Sequence, residues 1–297
     1  MKAIKARLQT ATIAAIVVVW IVQAATVAAG QHMIPNIPVV AVSILPQEEF
    51  VRAIAGDSVK VLVLVGPGAS PHNYEPTPRQ MAQLSSARIW FTLAVDFEKG
   101  LRPKIAKLYP GLSIVDTSLG VKFRKLEADA DEAPGGRDQH IWLGRDAVKV
   151  QLAAMAKALS ALLPAESARF ASSLAAYEAK IDTVFSGLRH DLAPFSGRKV
   201  LVFHPSFGYF FDEFGLVQAA VEAGGKEPTQ RILAGLIKSA RAGGVKVIFV
   251  EKQFPVEAAR TVAEAIGGSV VEIDALAPGW LGNIASMGAI LGKSLGR

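Results

Sequence analysis

The sequence Ala165–Leu192, AESARFASSLAAYEAKIDTVFSGLRHDL, runs for 28 residues with apolar side chains at helical spacing, no proline and one glycine, Gly187. At 1.5 Å per residue this predicts a helix of about 40 Å. Sharp bends in helices need proline, glycine or an inserted side chain, so it should be stiff. A helix of that length can cross between two lobes as a single strut. Just before it, Arg145–Leu163 is also alanine-rich with helical spacing, and no strand separates the two.

Outward from this pair, β-rich runs alternate with helix-like segments on both sides. Towards the N-terminus, the strands are Val39–Leu45, Val59–Val65, Ile89–Thr92 and Ser113–Asp116. Gln47–Ala55, Thr77–Ala87 and Phe97–Leu108 read as helices between them. Towards the C-terminus, Lys199–Phe203, Val245–Val250 and Ser269–Ile273 are strands. Gly208–Phe214, Thr229–Ala242, Val256–Ile266 and Trp280–Leu295 are helices. Such alternation implies mostly parallel sheets with helices on their faces. The fold class is therefore α/β: two (β/α) lobes joined by one long rigid helix, with a cleft between them. The expected division is a signal over 1–29, an N-terminal lobe over 30–164, a linking helix over 165–192 and a C-terminal lobe over 193–297.

The start of the chain has the three parts of a secretory signal: basic Lys2, Lys5 and Arg7, an apolar run from Ala11 to Val22, and Val27-Ala28-Ala29 as a small-x-small cleavage site. The apolar run is shorter than the roughly 20 residues of a comfortable membrane span. Removing that segment lowers the formal charge from +6 to +3. That is too mild to argue for nucleic acid, and no basic run is interleaved with aromatics. The absence of cysteine excludes disulfides, thiolate metal sites and a lipid-bearing cysteine after the signal. The expectation is a soluble periplasmic monomer. Lys125–Arg137, acidic and carrying Pro134 and a Gly-Gly pair, reads as a solvated loop.

Five histidines are present. His32 lies in the processed N-terminus, and His190 reads as a surface residue near the end of the long helix. The others are placed differently. His72 follows the strand ending at Val65, His140 ends the long loop after Asp116, and His204 directly follows Lys199–Phe203. Asp274 directly follows Ser269–Ile273. In open α/β sheets ligands bind at the carboxyl ends of the strands. Three imidazoles and one carboxylate would complete a tetrahedral set for zinc. Each histidine would equally suit capping or packing of a loop, and spacings of 68, 64 and 70 residues match no local metal motif.

Several segments carry a more specific signal. Ser43-Ile-Leu-Pro46, Ala55-Gly-Asp57, Gly68-Ala-Ser-Pro-His72-Asn-Tyr-Glu-Pro-Thr-Pro78, Asp138-Gln-His140-Ile-Trp-Leu143, His204-Pro-Ser-Phe-Gly-Tyr-Phe210, Glu251-Lys-Gln253 and Glu272-Ile-Asp274-Ala-Leu276 run from about Val39 to the C-terminus. Together they resemble the periplasmic zinc and manganese solute-binding proteins of ABC transporters, the ZnuA/TroA-like cluster. The resemblance implies His72, His140, His204 and Asp274 as metal ligands, with Glu251 close behind them. It implies a divalent ion as cargo, a membrane permease as partner, and a rigid inter-lobe helix. Three imidazoles favour Zn(II), with Mn(II) the alternative. The chain departs from the family's pattern in three places. Lys125–Arg137 has no histidine where many zinc members carry a histidine-rich loop. Gln139 stands where proline is usual, and Gly144 likewise departs from the usual residue, which predicts a looser loop around His140. Val95-Asp-Phe-Glu98 replaces a more glycine-rich turn.

Two other functions compete. A zinc hydrolase needs an open coordination position and a general base beside the metal. Asp274 would close the set, and no His-Glu-x-x-His pair is present. An adhesin on the same fold would call for an anchor, which the cleavable signal and missing cysteine argue against.

Overall fold

The structure, a computed structural model, describes residues 37–126, 136–222, 229–254 and 256–296. The expected signal at 1–29 and most of the acidic loop lie outside them. The N-terminal lobe comprises β1 (Val39–Ile44), α1 (Leu45–Ala55), β2 (Lys60–Val65), α2 (Pro78–Leu84), β3 (Ala87–Thr92), α3 (Asp96–Leu108) and β4 (Ser113–Asp116). Two helices follow, α4 (Arg145–Leu162) and α5 (Ser167–Leu192). The C-terminal lobe comprises β5 (Lys199–Val202), α6 (Gly208–Asp212), β6 (Val217–Ala220), α7 (Gln230–Ala242), β7 (Val247–Val250), α8 (Val256–Ile266), β8 (Ser269–Glu272) and α9 (Trp280–Leu295).

Each lobe holds a four-stranded, all-parallel sheet. The orders are β2-β1-β3-β4 and β6-β5-β7-β8, the same arrangement twice. Parallel strands covered on both faces read as continuous apolar runs. β1, VVAVSI, fits this, with five of its six residues buried. In the C-terminal lobe the strand residues divide between two cores. Val200, Val202 and Phe249 face a core continuous with the N-terminal lobe, while Leu201, Ile248 and Val250 pack towards Ala259, Val262 and Ile266 of α8.

Local chemistry fixes where helices begin. Thr77 Oγ1 accepts the Gln80 N–H at 3.3 Å while Gln80 Oε1 accepts the Thr77 N–H at 3.0 Å. This reciprocal cap, followed by Pro78, starts α2 and ends the loop that carries His72. At α1 the Gln47 side chain reaches back to the Ser43 N–H at 2.9 Å.

Helix α5 has 26 residues, about 39 Å of length. It starts two residues later than expected because Pro164–Glu166 forms a short 3₁₀ turn. Its buried side chains, Phe170, Tyr177, Ile181, Phe185, Leu188 and Leu192, recur every three, four or seven positions and so form one stripe. That stripe lies against α4, α1 and α9, helices drawn from both ends of the chain.

The approach of α5 to α9 is close enough to need glycine. A Cβ on Gly288 would stand 2.2 Å from Leu188 Cδ2. Gly282, also in α9, faces open space. Alanine normally gains about 1 kcal/mol over glycine inside a helix. Gly282→Ala should show that gain in chemical denaturation. Gly288→Ala should lose about 1–3 kcal/mol through overpacking. Equal effects at the two sites would contradict this packing.

One strand was not anticipated. β6 pairs with β5 in parallel, with Val217 opposite Lys199 and Ala220 opposite Val202. Among the described residues, no helix is long and apolar enough to cross a membrane.

Candidate metal centre

His72, His140 and His204 converge across the cleft. His204 Nε2 lies 3.2 Å from His72 Nε2 and 3.3 Å from His140 Nε2. The three imidazoles form the group of potential ligand atoms found among the described residues, all within 4.8 Å of one another. His72 comes from the loop between β2 and α2, His140 from the turn before α4, and His204 from the carboxyl end of β5.

Each imidazole has a carboxylate behind it. His72 Nδ1 meets Asp96 Oδ2 at 2.8 Å, His140 Nδ1 meets Asp138 Oδ1 at 2.7 Å, and His204 Nδ1 meets Glu222 Oε2 at 2.7 Å. A carboxylate accepts only, so in each neutral ring it fixes the proton on Nδ1 and leaves a lone pair on Nε2. Three lone pairs therefore point into one space. They repel one another until a cation stands among them. Two nitrogens bound tetrahedrally to zinc at 2.0–2.1 Å would be about 3.3 Å apart, which matches the observed separations.

The supports differ in exposure and charge. Burial alone would raise the Asp96 carboxyl, but hydrogen bonds from Lys99, His72 and Gln139 outweigh it and hold it down at about 2. The Gln139 bond, Nε2 to Asp96 Oδ1 at 3.1 Å, ties the His140 loop to the support of His72. So the residue that stands where proline is usual contributes a cross-link of its own. Asp138 is fully buried. It accepts both the backbone N–H of His140 at 3.0 Å and Arg124 Nη1 at 2.9 Å. Burial pushes the His204 imidazole below its usual range, with Glu222 opposing the shift. Phe254 stacks on its ring at 4.6 Å between centroids.

The turn Val95–Glu98 now has a physical role. The Glu98 carboxylate accepts the Leu93 N–H at 3.0 Å and the Ala94 N–H at 2.7 Å. It thereby holds Ala94 at φ 68° and sets the start of α3, where Asp96 stands. Burial wins over these hydrogen bonds and raises the Glu98 carboxyl to about 7. A folded value above the ordinary 4.5 means the fold prefers the protonated form. This contribution to stability is complete below about pH 4.5 and is lost as pH rises through about 7. In metal-free protein, Glu98→Gln should match the wild type near pH 4.5 and melt several degrees higher at pH 8. A constant difference in melting temperature across that range would refute the assignment.

The two expected carboxylates are placed differently. Asp274 lies outside the imidazole group. Its Oδ1 accepts from Gln253 Nε2 at 3.1 Å and from the Leu276 N–H at 2.8 Å. Glu251, at the carboxyl end of β7, lines the cavity beside the imidazoles together with Gln253, Ala275 and Leu276. It is 2% exposed, its Oε1 is bonded to Ser206 Oγ, and its Oε2 has no hydrogen-bond partner. Burial raises its carboxyl to about 8. The cavity itself is only about 20 Å³, room for a water-sized occupant. His190 is exposed on α5 and takes no part. Asp96, Arg124 and Glu222 were not singled out from sequence.

The profile of the family described as "Zinc-uptake complex component A periplasmic", ZnuA, matches residues 40–285. A putative metal-binding protein of Chlamydia muridarum is 27% identical over 197 residues, covering 64% of this chain and 66% of that protein. The zinc-binding lipoprotein AdcA of Streptococcus pneumoniae is 25% identical over 254 residues, covering 78% of this chain and 48% of that protein. The alignments thus span about two thirds of the chlamydial protein and half of AdcA. A crystal structure of a ZnuA deletion mutant with zinc bound superposes with a TM-score of 0.80 at 33% identity, covering 87% of this chain and 98% of that one. With a family match extending across both lobes, the chain belongs to the ZnuA family of periplasmic zinc-uptake components, substrate-binding proteins of metal transport rather than enzymes.

Proposed function

We propose that this protein captures one divalent ion, Zn(II), in the periplasm and delivers it to the membrane permease of an ABC transporter. The observation that carries this reading is the trio of Nε2 lone pairs at about zinc's ligand spacing, each backed by a carboxylate. Imidazole nitrogens suit zinc better than manganese, which is served by more oxygen ligands. Membership of a family of zinc-uptake components speaks against a hydrolase.

His72, His140 and His204 are the three nitrogen ligands in this reading. Two carboxylates compete for the fourth position. Asp274 follows its strand at the expected edge with its Oδ1 held by Gln253 and the Leu276 amide, whereas Glu251 lines the cavity with one oxygen unpaired. Calorimetric titration with Zn(II) and Mn(II) tests the reading. One site per chain is expected, with zinc the tighter ligand. Asp274→Ala and Glu251→Gln, measured side by side, identify the fourth ligand as the variant with the larger loss. Stronger binding of Mn(II) would overturn the choice of ion, and no site for either ion would overturn the function.

A further inference from the structure

Arg124 stands behind His140 and reaches into the opposite lobe. Its Nη1 donates to Asp138 Oδ2 at 2.9 Å and its Nε donates to Asp212 Oδ2 at 3.0 Å. Asp138 is fully buried and holds His140 by both its backbone N–H and its Nδ1. Asp212 is the last residue of α6, in the C-terminal lobe. The same helix makes two more adjustments to this one arginine. At Gly208, its first residue, a Cβ would lie 1.7 Å from Arg124 Nη1, so a side chain there would evict the guanidinium. The Tyr209 hydroxyl donates to the Asp138 carbonyl oxygen at 3.1 Å and accepts the Arg124 N–H at 3.0 Å.

Helix α6 is also joined by the short segment Pro205-Ser-Phe207 to His204. It is therefore linked to two of the three imidazoles: one through the chain, the other through Arg124 and Asp138. A fully buried carboxylate needs a compensating cation. The planar guanidinium supplies that charge and, with Nη1 on Asp138 and Nε on Asp212, forks across the two carboxylates. Lysine would supply the charge without the fork.

We propose that Arg124 is a positioning residue for the metal site, locking Asp138, and through it the His140 imidazole, against helix α6 of the opposite lobe. This rests on the reading that the three imidazoles hold the ion. Outer partners of metal-bound histidines typically carry 10–100-fold in affinity, so a loss of about that size is expected here.

The test measures Zn(II) affinity by competition with a chromophoric chelator, together with the visible spectrum of the Co(II)-loaded protein. Arg124→Gln should weaken zinc about 10–100-fold and alter the cobalt bands. Arg124→Lys should recover part of the affinity. Gly208→Ala, which keeps Arg124 but takes its space, should reproduce both effects, and it carries the test if Arg124→Gln does not fold. In a His140→Ala background, Arg124→Gln should add nothing. Wild-type affinity in both Arg124→Gln and Gly208→Ala would overturn the proposal. So would an Arg124 effect that persists undiminished without His140, or weaker binding with unchanged cobalt bands. If His140→Ala itself bound zinc like the wild type, the three-imidazole reading would fall first, and this proposal with it.

Discussion

His204→Ala will weaken zinc binding by more than about 100-fold, beyond the 10–100-fold typical of lost outer partners. His204 stands in the middle of the trio, with Nε2 at hydrogen-bond distance from both other Nε2 atoms. Removing it leaves two nitrogens from the N-terminal lobe and no imidazole from the C-terminal lobe. It also leaves Glu222, largely buried, without the ring it supports. The metal-free variant should keep its fold, because both sheets are built without this ring. Competition titration with a strong chelator reads the loss, and circular dichroism checks the fold. His190→Ala is the matched control and should bind as the wild type does. Equal effects of the two substitutions would remove the site from the cleft.

Trp280→Ala should cost about 3–5 kcal/mol, the usual price of a deleted core aromatic. In a chain of this size that lowers the melting temperature by roughly 10 °C. Trp280 is fully buried at the start of α9. Its ring meets Phe50 of α1 edge-on at 5.1 Å and faces Phe185 of α5 at 6.4 Å. Its indole N–H donates to the Trp142 carbonyl at 2.7 Å, while the Trp142 indole N–H donates to the Ala275 carbonyl at 2.8 Å. The two tryptophans thus stitch the N-terminal lobe, the long helix and the last loop of the C-terminal lobe together. Trp142 also lies edge-on to His140 at 5.2 Å. Zinc affinity should therefore fall along with stability. A melting shift of only a degree or two, with affinity intact, would mean that the lobes are held together elsewhere.

The parts of this molecule that were legible in its sequence are those governed by periodicity and by strand chemistry. The stripe on α5 and the β-branched runs of β1 and β7 announce themselves; the strand-end rule made His72, His140 and His204 candidates, and the motifs shared with the metal-binding family singled them out as the group that the structure brings together. β6 was missed because VQAA holds one β-branched residue in four. Its strand character comes from pairing with β5, a contact between distant segments. With β6 unseen, Glu222 two residues beyond it could not be read as the support of His204. The position of Asp274 follows the strand rule, but the direction of its side chain is set by Gln253 and the Leu276 amide, which no periodicity encodes. The turn Val95–Glu98 had no account in sequence because its logic is a buried carboxylate capping two amides five and four residues back. The looseness expected from Gln139 overlooked a side-chain bond to Asp96.

The size of the imidazole cavity has a consequence for hydration. A space of about 20 Å³ holds one water-sized occupant and cannot admit an ion wearing a full shell of waters. An incoming ion must therefore undress at the mouth, where His72 is the partly exposed ring, before the buried rings can close on it. Ions that shed water reluctantly and demand octahedral oxygen, Mg²⁺ above all, meet a barrier to entry as well as an unsuitable set of donors. Selection against the abundant hard cation would then be kinetic before it is thermodynamic.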